Sequence, residues 1–168
     1  PRGGPVLVGL LDDDQLQRLL TVLKKDKNRT VCGIVLFLLS TGARLNEALQ
    51  ARWALIDVEN RVWRIPARSS KSGRSRGVPL NDAALEVLSK QDTEDEFEHV
   101  FINRQTGLPY TTIQKVWERL RKKAGLEHVR IHDLRHSYAS MLVNSGRSLY
   151  EVQQILGHSN PKVTQRYS

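Results

Sequence analysis

The spacing of apolar residues predicts three helices in the first 50 residues. A capping aspartate, Asp12 or Asp13, precedes leucines that recur every three or four residues, the period of a helix with one buried face. These leucines are Leu16, Leu19, Leu20 and Leu23. The next stretch, residues 30–40, is apolar on nearly every side, which is typical of a buried helix. A Thr-Gly pair ends it, and a short helix restarts near Leu45.

The period changes between about residues 54 and 79, where apolar and polar side chains alternate as they do in strands. Residues 55–58 and 62–65 flank a turn at Glu59-Asn60, and residues 76–80 form a third segment of this kind. A Ser/Gly-rich stretch at residues 69–75 joins the second and third segments, and we expect it to be a mobile turn. The pattern therefore predicts a small antiparallel sheet.

Helical spacing returns in the rest of the chain. Asn81 is a suitable N-cap for one helix, and Thr111 precedes a second. The apolar face of this second helix carries Ile113, Val116, Trp117 and Leu120. Further helices are predicted at about 134–144, 148–156 and 161–167. The predicted fold class is mainly α with a small antiparallel β-sheet (α+β), in a single domain.

The chain is strongly basic, with 26 lysines and arginines against 18 aspartates and glutamates and a net charge of +8. Such a balance indicates an anionic partner, and nucleic acid is the first candidate. The basic side chains concentrate in two stretches, Arg64, Arg68, Lys71, Arg74 and Arg76, and Lys115, Arg119, Arg121, Lys122, Lys123 and Arg130. Five acids gather instead between residues 92 and 98, where we expect a solvated loop.

Composition narrows the class of protein further. The single cysteine, Cys32, excludes an internal disulfide framework and a cysteine-based zinc cluster, and it fits a reducing compartment. The longest apolar run, residues 34–39, is too short to cross a bilayer, and no charged-then-apolar leader opens the chain. Because the chain begins at Pro1 rather than Met, we expect a fragment of a longer protein, with residues 1–9 as a flexible N-terminal segment.

Two basic residues occupy positions that suit a catalytic site. Arg44 directly follows the helix break, and Glu47 one helical turn later can brace its guanidinium. Taken alone, this spacing also fits an ordinary surface ion pair. Lys71 lies in the Ser/Gly-rich turn, from which a lysine can reach into a site and donate a proton, although an exposed turn lysine is the simpler interpretation.

The run from His132 to His136 is denser in chemistry. A helical start would place His132 and Arg135 on one face. Two histidines four residues apart also suggest zinc ligands, with His158 as a third that could be recruited. However, the metalloprotease motif requires a glutamate where this chain has Asp133, and Arg135 would place a permanent cation beside the metal.

Together with Tyr167, near the end of the chain, the arginines, the lysine and the histidines form a set of groups suited to attack on a phosphodiester. Arginines bind the non-bridging oxygens and stabilise the charge that grows on them in the transition state. A tyrosine can attack phosphorus if a base and a positive field assist it, and a lysine can protonate the leaving 5′-oxygen. The phosphotyrosine ester would conserve the bond energy, so that ATP is not needed, and the cationic groups can replace a metal.

Four blocks of the chain resemble the catalytic domain of the tyrosine recombinase family, the phage integrases and their relatives. They are STGARLNEAL (residues 40–49), KSGRSRGVPL (71–80), HDLRHSYAS (132–140) and LGHSNPKVTQRYS (156–168). Their order and separations agree with the family. The resemblance implies a tyrosine recombinase catalytic domain at residues 10–168.

The resemblance assigns roles to the basic residues. Arg44 and Arg135 match the two phosphate-clamping arginines of the family, and Glu47 matches an acidic residue that supports the first of them. Lys71 matches the β-hairpin lysine that acts as the general acid for the leaving 5′-hydroxyl.

It also assigns roles to the histidines and tyrosines. Tyr167 matches the nucleophile that forms a 3′-phosphotyrosyl link, and His132 matches the histidine that assists proton transfer at that tyrosine. His158 matches a hydrogen-bond donor to the scissile phosphate. His136 falls on a mainly structural histidine and Tyr138 on an aromatic core position, so neither belongs to the expected catalytic set.

The resemblance implies a site-specific recombinase or integrase that needs no cofactor and no metal. Its expected partners are double-stranded DNA attachment sites, on which the full-length protein would act as a homo-tetramer, while the fragment would be monomeric. No membrane is involved, and a cytoplasmic, bacterial or phage-encoded protein is expected. The family's N-terminal DNA-clamping domain and C-terminal tail are not found in this chain.

Three other functions remain open from the sequence. A type IB topoisomerase uses the same ester chemistry but relaxes DNA instead of exchanging strands. A DNA-binding module that has lost catalysis would bind without cleaving. A metalloprotein built on His132, His136 and His158 would contain zinc.

Overall fold

The computed structural model describes residues 11–69 and 73–144, and in the last helix it describes the side chains as far as Tyr138. The helices are α1 (Asp13–Lys25), α2 (Arg29–Thr41), α3 (Leu45–Leu49), α4 (Asp82–Ser89), α5 (Gln114–Lys123) and α6 (Ile131–Asn144). The strands are β1 (Ile56–Asp57), β2 (Val62–Ile65), β3 (Arg76–Pro79), β4 (Ile102–Asn103) and β5 (Leu108–Pro109). Short 3₁₀ turns occupy Trp53–Leu55 and Ala67–Ser69. The α+β class expected from the sequence is confirmed.

Helix α1 begins where its capping residues predict. The Asp12 carboxylate accepts a hydrogen bond from the backbone N–H of Gln15 at 2.7 Å, and the Gln15 side chain accepts one from the N–H of Asp12 at 2.9 Å. This reciprocal capping box satisfies two amides that the helix leaves unpaired. The predicted inner face is confirmed, with Leu16, Leu19 and Leu23 buried and Leu20 partly buried against them.

Helix α2 lies at the centre of the fold. It is buried on nearly all sides, as its sequence predicts, and it packs against both α4 and α6. The Phe37 ring lies 5.1 Å from the ring of Trp63 in the sheet and 5.4 Å from that of Phe101. The Phe37 side chain thus joins α2 to the sheet, because its ring contacts the ring of Trp63 in β2.

The three predicted strands form an antiparallel sheet in the order β1-β2-β3. Trp63 lies opposite Val78, and both point into the core, whereas Arg64 between the buried Trp63 and Ile65 is exposed. At the far end of β2, Ile65 pairs with Arg76 at the start of β3. Residues 70–72 of the predicted turn lie outside the described part of the chain.

The β4–β5 hairpin was not predicted. Each of its strands has two residues, too few for an alternating pattern to be recognised. Gly107, at a φ of 73°, allows the tight turn between them. The five acidic residues at 92–98, just before this hairpin, are exposed as expected, whereas Thr93 between them is buried and donates a hydrogen bond to the carbonyl of Val100.

Helix α6 begins at Ile131, three residues before the start predicted from apolar spacing. The reason is a side-chain cap, because the Asp133 carboxylate accepts a hydrogen bond from the backbone N–H of Arg130 at 2.8 Å. His132 and Arg135 are therefore both inside the helix. The helices predicted at 148–156 and 161–167 fall outside the described residues. In the part of the chain that is described, every helix is too short or too polar to span a membrane.

Candidate active site

The turn between α2 and α3 sets the position of Arg44. Gly42 ends α2 in a left-handed conformation, with a φ of 72°, and donates its N–H to the carbonyl of Leu38 at 2.9 Å. The chain therefore reverses within two residues and places Arg44 at the N-cap of α3. A Cβ on Gly42 would lie 2.7 Å from a ring carbon of Tyr138, so this turn is packed directly against α6.

Glu47, in the first turn of this short helix, caps its start. Its carboxylate accepts a hydrogen bond from the backbone N–H of Arg44 at 2.9 Å, and its second oxygen lies 3.8 Å from the Arg44 guanidinium. The side chain of Glu47 is 2% exposed and that of Arg44 is 35% exposed. The buried carboxylate therefore fixes the backbone of Arg44, while the guanidinium remains accessible to an anionic ligand.

The strongest partner of Glu47 is Arg76, which the sequence analysis counted only as part of a basic stretch. The two guanidinium nitrogens of Arg76 lie 2.5 Å and 2.9 Å from the two carboxylate oxygens, the fork-to-fork geometry of a bidentate ion pair. Arg76 and Glu47 are 29 residues apart, and nothing in their spacing signals the contact. Only the antiparallel register, which places the start of β3 beside α3, brings them together.

Burial and these cations act in opposite directions on Glu47. Burial alone would raise the pKa of Glu47, because the charged form loses its hydration. The hydrogen bonds from Arg76 and from the Arg44 backbone, together with the charges of both arginines, outweigh burial and hold the pKa of Glu47 below its ordinary value. Glu47 is therefore an anion at neutral pH and a structural partner of the arginines.

Helix α6 presents His132 and Arg135 one turn apart. His132 is exposed and Arg135 is half-buried. The rings of His132 and His136 meet edge-to-face, with centroids 5.1 Å apart. Desolvation, followed by the charge of His136, lowers the pKa of His132 from its ordinary value even though Asp133 acts to raise it. A neutral imidazole at pH 7 can accept a proton, as expected of the histidine that assists a nucleophile.

Asp133 has a structural function that the sequence analysis did not foresee. Its side chain is 3% exposed, and its carboxylate binds both the backbone N–H and the guanidinium of Arg130. Although burial opposes ionisation, these bonds keep the pKa of Asp133 below its ordinary value. The described residues contain no group of three metal-ligating side chains, and His158, the third ligand of the zinc hypothesis, lies outside them.

The structure thus brings together part of the expected site. Arg44, Glu47 and Arg76 form one cluster, and His132 and Arg135 lie on the helix whose Tyr138 packs against the Arg44 turn. The other three expected residues, Lys71, His158 and Tyr167, lie outside the described residues. The two arginines are held by neighbouring elements, and each can donate two hydrogen bonds to a phosphate.

A cavity of about 1020 Å³ lies elsewhere, between α2, α4 and α5. Leu36, Val87 and Val116 contribute apolar side chains to it, and Arg119 lies at its wall. None of the candidate catalytic residues that the structure describes lines this cavity. This cavity is therefore separate from the described candidate groups.

Comparisons with known proteins identify the family of the chain. The model of the phage integrase family matches residues 10–168. The integrase of Salmonella phage P22 is 33% identical over 148 residues, which cover 81% of this chain and 38% of that protein. The tyrosine recombinase XerA of Saccharolobus solfataricus is 34% identical over 161 residues, covering 96% of this chain and 52% of its own length. The chain thus spans about half the length or less of these two curated relatives.

Solved structures show the same likeness. The crystal structure of a XerA recombinase superimposes with a TM-score of 0.67 at 26% identity, covering 99% of this chain and 60% of that one. The XerH site-specific recombinase bound to its difH substrate gives a TM-score of 0.67 at 27% identity, covering 98% of this chain and 51% of that one. The chain belongs to the phage integrase family, the tyrosine recombinases.

Proposed function

We propose that this chain is the catalytic domain of a site-specific DNA recombinase that cleaves and rejoins DNA strands through a 3′-phosphotyrosyl intermediate. The observation that carries the proposal is the packing of the Arg44 turn against α6, the helix of His132 and Arg135, in a chain of this family. Two guanidinium groups held by adjoining elements suit a phosphodiester, whose two non-bridging oxygens need charge stabilisation in the transition state.

The chemistry proceeds by exchange of one ester for another. The Tyr167 oxygen forms a bond to phosphorus, the bond from phosphorus to the 5′-oxygen breaks, and Arg44 and Arg135 stabilise the charge on the non-bridging oxygens. His132 assists removal of the tyrosine proton, and Lys71 donates a proton to the departing 5′-oxygen. In the second step the 5′-hydroxyl of a partner strand attacks the phosphotyrosine and regenerates Tyr167.

His158 completes the proposed site as a hydrogen-bond donor to the scissile phosphate, and Glu47 supports Arg44. No metal and no ATP enter these steps, because the phosphotyrosine ester retains the energy of the broken bond. The chain would act in the cytoplasm on double-stranded attachment sites, as part of a full-length protein that assembles as a homo-tetramer for DNA integration and recombination. The solved complex of XerH with its difH substrate supports a DNA partner.

Covalent trapping tests the proposal. The full-length protein is mixed with nicked duplexes that carry candidate attachment sites from beside its gene, run on a denaturing gel, and the adduct is mapped by mass spectrometry. We expect a DNA adduct on Tyr167, which Tyr167→Phe abolishes while DNA affinity stays nearly unchanged. Tyr110→Phe is the matched control, because Tyr110 is a half-buried tyrosine that packs against the core and whose hydroxyl accepts a hydrogen bond from the Asn28 side chain.

Each other outcome contradicts part of the proposal or supports one of the alternative functions. An adduct that survives in Tyr167→Phe contradicts the nucleophile assignment. Relaxation of supercoiled plasmid without recombinant products identifies a type IB topoisomerase. Binding to DNA without an adduct at any flanking site identifies a module that has lost catalysis, and stoichiometric zinc in an elemental assay identifies a metalloprotein.

A further inference from the structure

We propose that Arg76 is a positioning residue for Arg44 and acts through the carboxylate of Glu47. This inference rests on the proposed function, since it assigns Arg44 to the phosphate of the DNA. It adds to the site a residue that does not touch the substrate, and whose removal we expect to slow strand cleavage more than it weakens DNA binding.

The hydrogen bonds to the Glu47 carboxylate are shared unequally between the two guanidinium groups. Arg76 approaches both oxygens, at 2.5 Å and 2.9 Å, whereas the nearest guanidinium nitrogen of Arg44 is 3.8 Å away. Arg76 therefore takes most of the hydrogen-bonding capacity of Glu47. The Arg44 guanidinium is left without a close carboxylate contact to Glu47, and a phosphate can compete for it at low cost.

Glu47 also accepts a hydrogen bond from the backbone of Arg44. A carboxylate that is 2% exposed cannot rotate without disturbing the core, and one of its oxygens accepts the N–H of Arg44 at 2.9 Å. By clamping that carboxylate with two parallel bonds, Arg76 fixes the point at which the Arg44 backbone enters α3. The direction in which the Arg44 side chain leaves the helix follows from that point.

Arg76 lies at the edge of the sheet that faces the α3 helix through Glu47. Arg76 is the first residue of β3 and pairs with Ile65, the last residue of β2. It thus stands where the strands that flank residues 70–72 meet, and the proposed general acid Lys71 lies in that connection. One ion pair therefore ties the start of β3 to the first turn of α3.

The test compares Arg76→Gln and Arg76→Lys with a matched control in the full-length protein. The control is Arg61→Gln, which removes an arginine of the turn between β1 and β2 whose partner, Asp82, is exposed. Single-turnover cleavage of nicked DNA measures the chemical step, and a filter-binding titration at fixed salt measures affinity. We expect Arg76→Gln to slow cleavage about 100-fold, the effect of a misplacement of about 1 Å, with nearly unchanged affinity.

Arg76→Lys should recover part of the rate, because a lysine keeps the charge but cannot form two parallel bonds to one carboxylate. Arg61→Gln should cleave like the wild type. If Arg76→Gln instead loses affinity and cleavage in equal proportion, Arg76 contacts the DNA itself and the positioning role is wrong.

A double-mutant cycle with Glu47→Gln shows whether Arg76 acts through that carboxylate. We expect Arg76→Gln combined with Glu47→Gln to cleave no more slowly than the slower single variant, whereas fold-changes that multiply would overturn the inference. The same cycle measured by urea unfolding needs no DNA and should also be non-additive. The unfolding cycle distinguishes failure of this inference from failure of the proposed function. A wild type that forms no adduct refutes the proposed function, whereas additive changes in unfolding free energy refute the coupling between Arg76 and Glu47.

Discussion

At the scale of single residues, two buried carboxylates hold arginines at the starts of the helices that carry the site. Glu47 and Asp133 are 2% and 3% exposed, and each accepts the N–H of an arginine three residues earlier, at the start of α3 and of α6. In both places the carboxylate also pairs with a guanidinium. A buried anion of this kind is costly unless every partner is present, so removal of one partner should be felt in stability.

The pH dependence of stability tests this for Glu47. The pKa of Glu47 lies below its ordinary value of 4.5 in the folded protein, so the folded state favours the anion. The stabilisation is fully present above pH 4.5 and is lost as the pH falls through the lower, folded-state pKa. We expect Glu47→Gln to be less stable than the wild type at pH 7 by about 2 kcal/mol, since its arginine partners are partly exposed.

Urea unfolding of both proteins between pH 7 and pH 3 measures this difference. The gap should narrow below pH 4.5, because the wild type loses a charge that Glu47→Gln never had. A gap that stays constant across this range would mean that the neutral form of Glu47 stabilises the fold equally well.

Glu47 also shows how far the sequence predicts the site. Three-residue spacing on a helix is a local signal, and it correctly predicts that Glu47 lies beside Arg44. The contact with Arg76 depends on which strand end reaches α3, which no local pattern encodes. The early start of α6 was missed for a related reason, because the cap formed by Asp133 has no apolar periodicity.

At the scale of elements, the important contact is between the α2–α3 turn and α6. Gly42 has the left-handed φ that lets α2 end in one residue, and the ring of Tyr138 occupies the space that a Cβ would need. Apolar patterning predicted α2 and α6, and the Thr-Gly pair predicted where α2 ends. The pattern could not predict that the end of α2 meets α6 at Gly42, because it records which residues are buried and not which neighbour buries them.

Replacement of Gly42 tests this contact. Gly42→Ala forces an unfavourable φ and places a methyl group 2.7 Å from a Tyr138 ring carbon. The matched control is Gly107→Ala, since Gly107 has a φ of 73° and open space where the Cβ would lie. We expect the control to lose about 1 kcal/mol of unfolding free energy for backbone strain alone. Gly42→Ala should lose about 1–2 kcal/mol more, because the core must shift.

Urea unfolding gives both values, and the trapping assay then shows the effect on the site. Gly42→Ala should also cleave more slowly, because the Arg44 turn moves relative to the helix of Arg135, whereas Gly107→Ala should cleave normally. Equal losses of stability in the two variants would show that Tyr138 yields without cost.

At the scale of the whole molecule, charge is distributed unevenly. The last turn of α5 carries Arg121, Lys122 and Lys123, whereas the segment at 92–98 is acidic and exposed. Two of these cations serve the fold, since Lys123 lies 3.6 Å from the buried carboxylate of Asp26 and Arg121 donates a hydrogen bond to the carbonyl of Val129 at 2.9 Å. Lys115 and Lys122 on the same helix are exposed and are the better candidates for contacts with DNA phosphates.

The salt dependence of DNA binding tests that assignment. Each lysine that neutralises a phosphate releases counterions, so the plot of log affinity against log salt concentration should be steeply negative for the wild type. Lys115→Gln combined with Lys122→Gln should make the slope shallower by about 2, one unit for each lost contact. Lys90→Gln, which removes an exposed lysine that pairs with Glu86, should leave the slope unchanged. An unaltered slope in the double variant would place the DNA on another surface.

The burial of Cys32 has a practical consequence. It is the one cysteine of the chain, it is 0% exposed, and burial raises the pKa of its thiol to about 11. Such a thiol reacts slowly with maleimides at neutral pH. A cysteine introduced at an exposed position such as Val58, whose exposure is 54%, could therefore carry a single dye without removal of the native residue. Fluorescence energy transfer to labelled DNA would then report DNA binding in real time.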